Sequence, residues 1–61
     1  MESIYITFAG QRLKAVLELS ESEGFGIVGL YQGGQDITWL LQTELEYDIY
    51  QSVYHAQEIA P

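Results

Sequence analysis

The stretch from Ser3 to Leu19, SIYITFAGQRLKAVLEL, decides the fold. Ile4, Ile6 and Phe8 alternate with Tyr5 and Thr7. Further on, Leu13, Ala15, Leu17 and Leu19 alternate with Lys14, Val16 and Glu18. A period of two in β-branched, aromatic and aliphatic residues means half-buried strands. Gly10-Gln11 lies between the two runs, and a glycine at the first central position predicts a two-residue II′ turn. That turn pairs Phe8 with Leu13, Ile6 with Ala15 and Ile4 with Leu17 on one apolar face, with Thr7 opposite Lys14 on the other. A one-residue slip would turn one strand inside out, so pattern and turn support each other.

Working outward, Glu21 to Gly24 is a polar loop, and Phe25 to Tyr31 reads as a third strand, apolar on both faces. Gly26 and Gly29 interrupt it and mark a twisted or bulged strand. Gly33-Gly34 permits positive φ at both central positions of a second tight turn, which would pair Leu30 with Ile37 and Val28 with Trp39. Asp36 to Trp39 is then either a short fourth strand or a lead-in to a helix.

Thr43-Glu44-Leu45-Glu46 has the form of a capping box, a hydroxyl followed three residues on by a carboxylate. A helix from Glu44 to about Glu58 follows, with Glu44, Glu46 and Asp48 placed where the helix dipole favours negative charge. Leu45, Ile49, Val53, Ala56, Ile59 and Ala60 fall on one side and are expected to cover the sheet. Tyr47, Tyr50 and Tyr54 form a second stripe, expected to face solvent or another molecule. The remaining sheet face, with Tyr5, Val16, Ile27 and Tyr31, has no intramolecular cover and is a candidate oligomer face. The expected fold is therefore α+β over residues 1–61 as a single domain. It is a three- or four-stranded antiparallel meander with one C-terminal helix packed on one face.

Composition narrows the function. A chain of 61 residues buries a thin core and needs a staple. It has no Cys and a single His, His55, which removes disulfides and Cys- or His-based metal sites. Self-association or docking remains. Nine acids against Arg12 and Lys14 give a net charge of −7, which argues against direct binding of nucleic acid or an anionic membrane and favours a partner with a basic surface. No apolar run approaches the ~20 residues of a membrane helix. The Met1-Glu2-Ser3 start lacks the basic region of a secretion signal, so a cytoplasmic location is expected.

Three stretches with the spelling of chemical motifs have simpler explanations. Gly24-Phe25-Gly26-Ile27-Val28-Gly29 spells G-x-G-x-x-G, but no helix follows it, and Glu21 and Glu23 would repel a pyrophosphate. Ser52 and His55 lie three apart without a third orienting group. Glu44 and Asp48 are explained by the helix start without a metal. No catalytic, cofactor or metal residues are expected.

The segment Gly33-Gly34-Gln35-Asp36-Ile37-Thr38-Trp39-Leu40-Leu41, followed by an acidic helix carrying Tyr54, resembles the C-terminal half of small acidic phage and prophage accessory proteins. In these, a strand ending in Asp-aliphatic-Thr-x-Leu-Leu leads into an acidic helix. The resemblance implies a protein that binds and blocks a host factor, such as a nuclease, a polymerase subunit or a defence effector, and it carries over no functional residue. The expectation is a non-enzymatic inhibitor or regulator. It would dock on a basic, nucleic-acid-handling protein as a nucleic-acid mimic, through Glu44, Glu46, Asp48 and the tyrosines. The alternatives are a homo-oligomeric assembly module and a nucleotide-like ligand binder at an oligomer interface.

Overall fold

The computed structural model describes residues 1–22 and 24–59, with side chains to residue 56. Among them lie four antiparallel strands in the order β1-β2-β3-β4: β1 (Glu2–Phe8), β2 (Gln11–Ser20), β3 (Gly24–Gln32) and β4 (Gln35–Asp36). A 3-10 turn (Thr38–Gln42) leads to one helix, α1 (Glu46–Ile59). The α+β meander is as expected, but four of its joints differ from the sequence reading.

The first hairpin turns at Ala9-Gly10, not at Gly10-Gln11. Both residues have positive φ, 52° and 77°, so the turn is of the I′ kind. The register is Phe8 with Gln11, Ile6 with Leu13, Ile4 with Ala15, and Tyr5 with Lys14. It lies two residues from the expected pairing. A shift of two leaves every side chain on its face, so hydrophobic alternation cannot distinguish the registers. The I′ turn matches the right-handed twist of the flanking strands.

The second difference is a bulge in β3. Val16 pairs with Gly29 and Leu17 with Ile27, so Val28 is an extra residue. Alternation reverses across it. Leu30 and Ile27 both face the core and are buried, while Val28 is exposed. Ile27 was expected on the open face, and the bulge that Gly26 and Gly29 had signalled is what moves it inward.

The second Gly-Gly turn forms at Gly33-Gly34, and Ile37 N–H donates to Leu30 O at 2.8 Å, as the expected register requires. The fourth strand stops there. Thr38 Oγ1 accepts the Leu30 N–H at 3.0 Å, and Asp36 Oδ1 accepts the Thr38 N–H and hydroxyl at 2.9 and 2.6 Å. These side-chain bonds replace the next rung of the ladder and bend the chain. Val28 and Trp39 are therefore not paired, and Trp39 is 62% exposed on the 3-10 turn.

The fourth difference is the helix start. Thr43 Oγ1 accepts the Leu45 N–H at 3.1 Å, but Thr43 N–H is already bonded to Leu40 O at 3.2 Å. The returning arm of the capping box thus has no donor to meet, and α1 begins at Glu46, two residues late. Leu45 is 40% exposed, outside the core. Of the remaining expected core side, Ile49 and Val53 are fully buried and Ala56 packs beside them; Ile59's side chain and Ala60 lie outside the described residues. Ile49 and Val53 close over Ile6, Leu13, Ala15, Leu17, Ile27, Leu30 and Ile37. Fully burying an aliphatic side chain contributes about 1.5–3 kcal/mol, so α1 is held to the sheet chiefly by these two residues.

Candidate functional site

The helix offers the first candidate surface. Glu44, Glu46 and Asp48 are all exposed at its start. Tyr47 and Tyr54 are 70% and 56% exposed. Tyr50 does not join them. Its ring stacks on Phe25 at 5.7 Å with 17° between planes, and its hydroxyl oxygen accepts the Ile27 N–H at 3.1 Å. The expected three-tyrosine stripe is therefore divided. Tyr50 is an intramolecular strut, and Tyr54 bridges the two groups, meeting Phe25 edge-on at 5.9 Å with much of its ring still in solvent. Positions 44, 47, 48, 51 and 54 share one side of α1 or its lead-in, so the outward phenols and the acids form one acidic, aromatic surface.

The second surface lies on the opposite side of the sheet and was only half read from the sequence. Tyr5, Val16 and Tyr31 stand on the uncovered face as expected, and Ile27 does not. What the expected register concealed is the company they keep. In the observed register Tyr5, Lys14 and Tyr31 form one row across three strands. Arg12 reaches over from the next position of β2, its guanidinium carbon 4.4 Å from the Tyr5 ring centre. With the Gly33-Gly34 turn these side chains line an open trough of about 690 Å³. Both cations of the chain are therefore gathered on this one face. A cation–π contact at an exposed site contributes about 0.5–1 kcal/mol. The signal that would have found this trough is the i, i+2 spacing of Arg12 and Lys14, which places both on one strand face whatever the register.

Tyr31 also lies back along its own strand. A β-carbon on Gly29 would stand 3.1 Å from the ring, so glycine is what lets the phenol settle against the backbone beside Val16.

The remaining motifs have structural explanations. Gly24–Gly29 lies within β3, which runs on into β4, so G-x-G-x-x-G has neither the loop conformation nor the following helix of a dinucleotide site. Ser52 Oγ donates to Asp48 O one turn back at 3.1 Å, the usual local bond of a helical serine. Among the described residues no three of His, Cys, Asp and Glu gather as metal ligands, and no helix is long and apolar enough to cross a membrane. Comparison with known proteins found no matching family model, no matching curated protein and no matching solved structure.

Proposed function

We propose that the chain is a non-enzymatic interaction protein that docks through the solvent side of α1 onto a partner with a basic surface. The observation that carries this reading is the pairing of strongly exposed phenols, Tyr47 and Tyr54, with the carboxylates of Glu44 and Asp48 on the same side, Glu46 adding a further exposed carboxylate at the helix start. Tyrosine supplies large contact area for few rotatable bonds, and it is enriched at interfaces. The carboxylates steer a basic partner and set its orientation. A protein that handles nucleic acid in the cytoplasm of a host cell fits this chemistry, because its own groove is built to take closely spaced anions. The docked chain then acts as an inhibitor or regulator by occupying that groove.

The test is capture of partners from a lysate on the immobilised full chain, at low and high salt, beside a Tyr47→Ala/Tyr54→Ala double variant. Proteins of basic isoelectric point are expected on the wild-type chain at low salt, and high salt is expected to release them. Loss of aromatic anchors of the hot-spot kind costs about 2 kcal/mol or more each, so the double variant is expected to retain little. Retention of the same proteins by both chains, or of none at low salt, rejects the reading.

A further inference from the structure

The two edges of the sheet are treated differently by the chain. On the β3 side, the outward donors of Ile27, Leu30 and Gln32 are met. Ile37 N–H and Thr38 Oγ1 close on Leu30, and the Tyr50 hydroxyl takes the N–H of Ile27. The short β4 covers the rest of that end. On the other side no strand lies beyond β1, and α1 packs against its core face. A two-residue I′ turn is closed by a hydrogen-bonded pair, here Phe8 with Gln11, so Ile6, Ile4 and Glu2 also spend their backbone bonds on β2. Ser3, Tyr5 and Thr7 then point their N–H and C=O groups outward, and among the described residues nothing bonds to them. None of the usual guards is present on β1: no proline, no lysine, no bulge.

The strand is also self-complementary. A second copy placed antiparallel about a two-fold axis at Tyr5 aligns all seven residues. Ser3 meets Thr7, Tyr5 meets Tyr5, Ile4 meets Ile6, and Glu2, the one charge of the strand, meets Phe8. Parity is right as well: the outward-pointing residues are the ones that face one another, so each of those pairs exchanges both backbone bonds. Ile4 meets Ile6 at the narrower, non-bonded positions on the core side, where Ile4 is still half-exposed. No like charges stand opposite. From this contrast between a capped edge and a bare, self-complementary one, we propose that β1 pairs with β1 of a second copy. The product is a two-fold dimer with one continuous sheet, four strands from each chain.

The pairing also completes the trough. On the open face the row Tyr31, Lys14, Tyr5 continues into the partner's Tyr5, Lys14 and Tyr31, with an Arg12 stacked at each end of the central pair. At about 4.8 Å per strand the two Lys14 residues stand roughly 14 Å apart, so two cationic half-sites become one strip. Of the strands α1 comes closest to β1, so the pairing also brings the two helices near each other; the sign of the salt response and the Tyr5 and Thr7 amides distinguish this inference from the docking reading above.

Sedimentation of the full chain from micromolar to millimolar concentration tests it, together with amide exchange by NMR. The expected mass is twice 6.9 kDa. Salt is expected to strengthen the dimer, because each copy carries −7 and screening removes their repulsion; docking on a basic partner responds to salt with the opposite sign. In the dimer the amides of Tyr5 and Thr7 exchange as slowly as those of a central strand. Tyr5→Lys sets two lysines opposite each other beside Lys14, and it is expected to weaken the dimer about tenfold or more. Tyr5→Val is expected to keep it. A monomer at millimolar concentration overturns the proposal. So does a dimer whose Tyr5 and Thr7 amides exchange rapidly, or one indifferent to Tyr5→Lys. Should Tyr5→Lys fail to fold, the exchange pattern of the wild-type chain decides alone.

Discussion

Ala9 carries the only positive φ among the described residues that are not glycine. The I′ turn demands that geometry at both central positions. Gly10 adopts it without cost, whereas a β-carbon in the left-handed region costs roughly 1–2 kcal/mol. Asparagine tolerates the region far better, and Asn-Gly is the preferred I′ pair. Ala9 is exposed, so nothing else is lost in the exchange. Ala9→Asn is therefore expected to stabilise the chain by about 0.5–1 kcal/mol, which raises Tm by several degrees for a domain of this size. A scanning calorimetry trace with unchanged or lowered Tm would show that the turn is not of this kind. Asp36 gives a second residue-scale expectation. The Thr38 hydroxyl, and then the Thr38 N–H, donate to its carboxylate and hold it below its ordinary value of 3.8. A carboxyl depressed in the folded state contributes stability that is complete above that ordinary value and is lost as pH falls through the folded one. Asp36→Ala is accordingly expected to lower Tm at neutral pH. The gap between the two chains should close progressively below about pH 3.8. A gap that is constant with pH would mean the carboxylate is not what matters.

At the scale of elements, β3 and α1 are joined by one phenol. Tyr50 stacks on Phe25 and accepts the Ile27 N–H next to the bulge. Tyr50→Phe keeps the ring and removes the acceptor, leaving a half-buried backbone donor unmet. The expected cost is about 0.5–1.5 kcal/mol by urea denaturation, with m unchanged. Faster exchange of the Ile27 amide should accompany it, and an unaltered rate there would deny the bond. These elements also show what alternation can and cannot disclose. The strands, their inner and outer residues in β1 and β2, and the Ile49/Val53 side of the helix follow from periods of 2.0 and 3.6 alone. Register does not, because two pairings two residues apart bury the same side chains. Nor does the fate of Ile27, since Gly26 and Gly29 mark a bulge without saying between which residues the phase reverses. The early end of β4 and the late start of α1 were set by side chains, Thr38, Asp36 and Thr43, bonding backbone groups that a ladder or capping box would otherwise use.

Across the whole molecule, charge is sorted by place. Arg12 and Lys14 occupy the open sheet face, while Glu44, Glu46 and Asp48 crowd the start of the helix on the other side of the core. A count of nine acids and two bases reports only the sum. It pointed to the acidic helix surface but concealed the basic trough, because two cations vanish in a total of −7. The outward Tyr47 and Tyr54 were readable from helical spacing. The inward turn of Tyr50 was not, because it depends on Phe25 and on an orphan N–H that only the bulge creates. A core of this size leaves little reserve, so contacts made outside the chain weigh heavily in whether it stays folded.

Trp39 is the single indole of the chain, and it stands mostly in water where the sheet hands over to the helix. Its emission in the isolated chain is therefore that of a hydrated fluorophore. Anything that comes to rest over the junction will dry it and shift the light toward the blue, so the protein carries its own label for the first sighting of a companion.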